Sequence, residues 1–146
     1  MPVYENNFRD AKKYSETGNE LYATAPNTIN EAVEYYRTIL DAARDVTGNY
    51  VSQHVKAMDI KGASYANGVV THPKEMIDSV NKAKEAGIQA YGFQRKFGGL
   101  GLPFTVRALM GEIFYRVDTS FAIAFGCVNL GEILESESGN SLEKLI

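Results

Sequence analysis

Cysteine occurs once in the 146 residues, as Cys127, so the chain closes no internal disulfide. Histidine occurs twice, as His54 and His72, with no partner at ligand spacing. Histidine ligands come in clusters, so no metal centre is expected, and both read as incidental. Positive charge is not in surplus: 15 Lys and Arg stand against 18 Asp and Glu. No basic patch stands out, which argues against nucleic acid as a partner. No apolar run reaches the ~20 residues of a membrane span. The start, Met-Pro-Val-Tyr-Glu-Asn-Asn, lacks the basic n-region and apolar core of a signal peptide. A cytoplasmic location is the default. No repeat, low-complexity tract or second domain is visible. With 45% apolar and 23% charged residues, the composition is that of one globular domain.

What is present is helical pattern. Residues 1–27 are polar and rich in Asn, Gly and Thr, so they read as an irregular segment with at most a short helix from about Glu5 to Tyr14. From Thr28 the chain reads as a helical domain, 28–146. Thr28 with Glu31 three residues on is a capping box. The helix it opens shows Ile29, Val33, Tyr36, Leu40, Ala43 and Val46 near a 3.6-residue period. Val51, Val55 and Met58 continue that period, so the helix is expected to pass through Gly48-Asn49 to about Met58. Asp59 to Thr71 is a connection in which Gly68 to Thr71 can form an extended piece. Thr71 or His72 is expected to cap the next helix. Met76, Ile77, Val80 and Ala83 form its apolar face, Asp78 pairs with Lys82, and Gly87 stops it.

The organising stretch is Phe97-Gly98-Gly99-Leu100-Gly101-Leu102-Pro103. Three glycines in four positions make a tight apolar turn where the backbone bends or approaches something closely. A left-handed φ at Gly99 would make Gly99→Val destabilising. No Lys-Ser/Thr follows and no strand clearly precedes, so the turn reads as a packing device, not a phosphate loop. Pro103 suits the first position of a helix. That helix runs to Arg116, with Val106, Leu109, Met110, Ile113 and Phe114 on one face. Glu112, at its outer side, reads as a solvent-facing acid. Asp118, Thr119 and Ser120 offer N-cap chemistry for a second helix. Residues 121–134 then carry no charge until Glu132, the mark of a buried helix. Cys127 within it reads as an inert buried thiol.

The series from Phe97 to Leu134 resembles the N-terminal helical domain of the acyl-CoA dehydrogenases, which are flavoproteins. The likeness extends back to about Thr28 and forward into Gly139 to Lys144. The segment from Asp59 to Pro73 is similar to an insertion in the larger bacterial members. The resemblance implies an all-α bundle of four to five helices, up-down or orthogonal. It implies α,β-dehydrogenation of acyl-CoA thioesters with FAD in the full-length enzyme, where a glutamate takes the α proton and the flavin the β hydride. That base and most flavin contacts lie in the family's middle β and C-terminal domains, which this chain lacks. No catalytic residue is therefore assigned, no tightly bound flavin is expected on the chain alone, and it should not turn over by itself.

By resemblance, the wall of the acyl pocket is Ala122, Ile123, Gly126, Cys127, Asn129 and Leu130. Gly126 suggests room for a longer acyl group, and phenylalanine there should shorten the longest chain accepted without unfolding the protein. Alternatively, Gly126 simply lets helices pack closely. The implied partners are the acyl-CoA and the remaining domains of the same enzyme, with self-association through the apolar helix as a further option. A rival reading is a non-catalytic interaction module, or one part of a split enzyme assembled in trans. A third is an unrelated bundle, which would enclose Phe121 and Phe125 where the other two readings leave them exposed.

Overall fold

A computed structural model describes residues 5–126, and within them the chain is a helical bundle with one small hairpin. The first helix, α1, covers Glu5–Thr17. The short helix allowed from about Glu5 to Tyr14 is present and runs three residues further, to Thr17. A helix forms there because Asn7 and Ala11 recur four apart and bury one face. Asn7 donates to the Tyr36 hydroxyl and accepts from Arg95, so polar side chains dock this helix and hydropathy does not mark it.

The capping box forms as the sequence predicts. Thr28 Oγ1 accepts from the Glu31 N–H at 3.2 Å and caps α2, Ile29–Val46. Glu31 reaches one residue further back than expected, to the Asn27 N–H at 2.8 Å. That backbone bond holds the Glu31 carboxyl below its ordinary 4.5. Its stabilising share is complete above about pH 4.5 and is lost as pH falls through the lowered folded value. The inward stripe of α2 is Ala32, Tyr36, Ile39, Ala43 and Val46. Ile29 is left exposed, because it is the first helical residue and lies at the edge of the bundle.

The rod does continue past Gly48. One widened turn, Thr47–Val51, joins α2 to α3, Ser52–Lys61. Here Thr47 Oγ1 donates to the Ala43 carbonyl at 2.8 Å and Ser52 Oγ to the Gly48 carbonyl at 2.6 Å. The widened turn brings Val51 fully inside. The connection after α3 holds a hairpin, β1 Ser64–Ala66 and β2 Val69–Thr71, paired antiparallel with Tyr65 opposite Val70. Asn67 and Gly68 both have positive φ, as a two-residue hairpin turn that follows strand twist requires.

Thr71 is thus a strand residue, and Pro73, not Thr71 or His72, precedes α4, Lys74–Glu85, with no side-chain cap. Proline sets the entry φ at −60° and supplies the carbonyl that accepts from Met76 and Ile77. Asp78 pairs with Lys74, one turn back, and Lys82 pairs with Glu85. Gly87 ends the helix at φ +73°. Met76, Ser79 and Ala83 are buried, while Ile77 is exposed.

After the glycine turn, Pro103 precedes α5, Phe104–Val117, and a break at Asp118 leads to α6, Thr119–Gly126. The rod of α2 and α3 packs on α4 and α5, and α6 closes on α4 and α5. Counting that rod once gives five α-helices among the described residues, within the four to five expected. The shared core runs from Ala32 through Met110 to Phe125. No helix among the described residues is long and apolar enough to cross a membrane.

Candidate functional site

The glycine turn is built by backbone bonds folded back on residues 90–95. Gly98 N–H donates to the Arg95 carbonyl, Gly99 to Gln94, Leu100 to Ala90 and Gly101 to Phe93, at 2.9 to 3.1 Å. All four amides are spent inside the loop, so none is left to cradle a phosphate. Gly98 and Gly101 take positive φ, but Gly99 does not. Gly99 is required for a different reason: a Cβ there would meet the Phe93 backbone closer than 3.0 Å. Close approach, not a left-handed φ, fixes that glycine. Tyr35 Oη donates to the Leu100 carbonyl at 2.9 Å and ties the turn to α2. Burial raises the Tyr35 phenol above its ordinary range, with the Arg95 charge pulling the other way.

The turn delivers Leu102, Val106 and Met110 to the core, and α5 carries Phe114 to the seat of α6. Phe114 meets Phe121 and Phe125 edge-on at 6.0 and 5.4 Å, and Tyr91 meets Phe114 at 5.5 Å. Phe121 and Phe125 stack on each other at 5.6 Å. Both are buried, contrary to the exposure expected of a family domain in isolation, because the chain's own Tyr91 and Phe114 cover them. The aromatic side of α6 is therefore satisfied internally. Its outer side is Ile123, half exposed, and Ala124.

Asp118 caps this helix: its Oδ1 accepts from the Phe121 N–H at 2.6 Å. Removing such a cap costs ~1 kcal/mol. Asp118→Ala should lower stability by about that amount, and Asp118→Asn should recover most of it, since asparagine caps equally well. Urea melts of both variants check this. Equal losses would show that the charge, and not the cap, is what matters.

Ala122 points into the core, Ile123 points out, and Gly126 is half-buried. A Cβ added to Gly126 would first meet the Tyr91 hydroxyl at 3.2 Å. The nearest neighbour of Gly126 is thus the hydroxyl end of a core tyrosine. Cys127, Asn129 and Leu130 lie outside the described residues. Beside α6, Ala124 and Ser120 join Met58, Pro73 and Met76 around a groove of about 260 Å³. Small outward residues such as Ala124 carry no signal in a sequence read for large apolar positions.

Glu112 is exposed and paired with Arg116 at 2.8 Å, a solvated ion pair. His54 Nδ1 donates locally to the Tyr50 carbonyl, 2.8 Å away. No group of three metal-ligating side chains occurs among the described residues. The residue that sequence reasoning passed over is Arg95. It is buried at 1% exposure beneath Gly101. It donates to Asn7 and lies 3.4 Å from the Asp10 carboxylate. A lone Arg in a loop gives no sign of burial.

No curated protein and no solved structure matches the chain. The family model of the acyl-CoA dehydrogenase N-terminal domain matches residues 34–138, which include most of the rod, the hairpin, the glycine turn and both helices after it. The chain therefore belongs to the acyl-CoA dehydrogenase family, as its N-terminal helical domain.

Proposed function

We propose that the chain supplies one wall of the acyl pocket of a FAD-dependent acyl-CoA dehydrogenase, through α6. The family is FAD-dependent in general. When bound, the flavin takes up the β hydride, and the base and most flavin contacts belong to the family's other domains. The groove beside α6, at about 260 Å³, is below the ~300–1,000 Å³ that encloses a drug-sized ligand. These residues fit a wall better than an enclosing flavin site.

The observation that carries this reading is the outward side of α6. Ile123 is 50% exposed on an uncharged helix whose other side is locked by four aromatic rings. A rigid helix with an apolar outer edge can line an acyl chain without rearranging. Ala122 and Gly126 back this edge, and the family resemblance assigns Cys127, Asn129 and Leu130 to the same wall.

The test is Ile123→Trp in the full-length enzyme. The side chain stands off the core, so folding should be retained. The kcat/KM profile across acyl-CoA lengths should shift toward shorter chains, by about tenfold for the longest ones accepted. An unchanged profile in a folded, flavin-loaded variant would overturn the assignment.

A further inference from the structure

Beyond the acyl wall, and sharing no residue with it, a second groove of about 260 Å³ opens between α1, the Arg95 turn and α5. Arg9 and Lys13 line it from α1, Arg95 and Lys96 from the turn, and Arg107 from α5. Asp10 is the one carboxylate among its lining residues. A chain with 18 acids and 15 bases thus places five bases and one acid around a single groove. A groove lined mostly by one sign of charge raises the local concentration of counter-ions.

The floor is cationic as well. The Arg95 side chain is fully buried, and a buried charge needs a close partner. Asp10, at 3.4 Å, is farther than the ~2.7–2.9 Å of a charge-assisted bond. Nε and Nη2 of Arg95 are buried with no hydrogen-bond partner. The upper walls are braced. Lys13 lies over the Tyr22 ring at 5.2 Å, Lys96 over the Phe97 ring at 4.3 Å, and Arg107 donates to the Gly92 carbonyl at 2.9 Å. Held cations around a buried guanidinium suit an anion with more than one charge. A phosphoryl group carries about −1.5 to −2 and offers several strong acceptor oxygens, whereas a carboxylate carries one charge.

We propose that the groove between α1, the Arg95 turn and α5 binds a phosphoryl group through Lys13, Lys96, Arg9 and Arg107, above the buried charge of Arg95. The amides of the glycine turn take no part, since they are already bonded. The phosphoryl group can be free or carried on a nucleoside.

Calorimetric titration of the full chain with pyrophosphate, and separately with adenosine 3′,5′-bisphosphate, tests this at fixed ionic strength. Saturable binding is expected to at least one probe. The Lys13→Gln/Lys96→Gln double variant removes two wall charges and no core contact, and should weaken that binding by at least about tenfold. Arg9→Gln, on the exposed side of α1, gives a second reading if the double variant melts early. Tighter binding of the bisphosphate supports a nucleoside-borne group, and tighter pyrophosphate supports a free one. Absence of saturation with both probes up to about 10 mM, or equal affinity in the folded variants, overturns the proposal. Neither acyl-CoA nor flavin enters the experiment, so its failure leaves the acyl-wall reading untouched.

Discussion

Gly99→Val should cost about 3 kcal/mol or more, enough to remove much of the stability of a domain this size. The collision is with backbone: a Cβ at residue 99 meets the Phe93 carbonyl and Cβ closer than 3.0 Å. A side-chain end can swing away, but this carbonyl cannot, because it accepts the Gly101 N–H at 3.0 Å. Moving it would open the turn and release Leu100 from Tyr35. Gly99→Ala should therefore cost nearly as much as Gly99→Val, since the first carbon already clashes. Gly48→Ala is the matched control. That glycine is exposed in the widened turn of the rod, and its Cβ would meet nothing within 4 Å. Alanine there should be neutral or stabilising by up to ~1 kcal/mol, because glycine is a poor helix residue. Urea midpoints of the three variants decide the matter. A loss below ~1 kcal/mol for Gly99→Ala would show that the approach to Phe93 is loose.

The sequence shows the need for glycine at residue 99 but not its cause. Three glycines in four positions mark a turn, and the structure assigns two to positive φ and one to close approach. The helices were legible where large apolar residues set the period, as at Val106, Met110 and Phe114. They were less so where small residues face inward: Ala32 and Ser79 are fully buried, yet Ile29 and Ile77 are the conspicuous residues beside them. The hairpin was half legible. Gly68 to Thr71 reads as extended, while its partner strand is signalled by Asn67-Gly68 between short alternating runs. At the candidate site, the Asp118 cap follows from local chemistry. The burial of Phe121 and Phe125 does not, because it depends on Tyr91, thirty residues earlier. The docking of α1 was least legible. It rests on Asn7 and Asp10 meeting Arg95 across more than eighty residues, and no local pattern encodes such a polar contact.

That contact sets the second large expectation. Arg95→Ala should cost ~3–5 kcal/mol, the range for removing one partner of a buried charged cluster. The guanidinium donates to Asn7, faces Asp10, lies 5.4 Å from the Tyr35 ring and fills the space under Gly101. Alanine leaves a cavity there and strands the two α1 side chains. Arg95→Met separates the contributions, since it keeps an apolar stem against the ring but offers no donors. It should be less costly than alanine by about 1–2 kcal/mol, yet still destabilising, because Asn7 remains buried with its carbonyl unpaired. A double-mutant cycle of Arg95→Met with Asn7→Ala should show coupling of at least ~0.5 kcal/mol, as expected for groups in direct contact. Hydrogen exchange gives the location: in both Arg95 variants, the α1 amides should lose protection before those of α5. If methionine fully restores stability and α1 protection, packing alone holds the helix and the charge has no structural role. If both variants weaken α1 selectively, Arg95 is the polar staple that joins residues 5–17 to the domain.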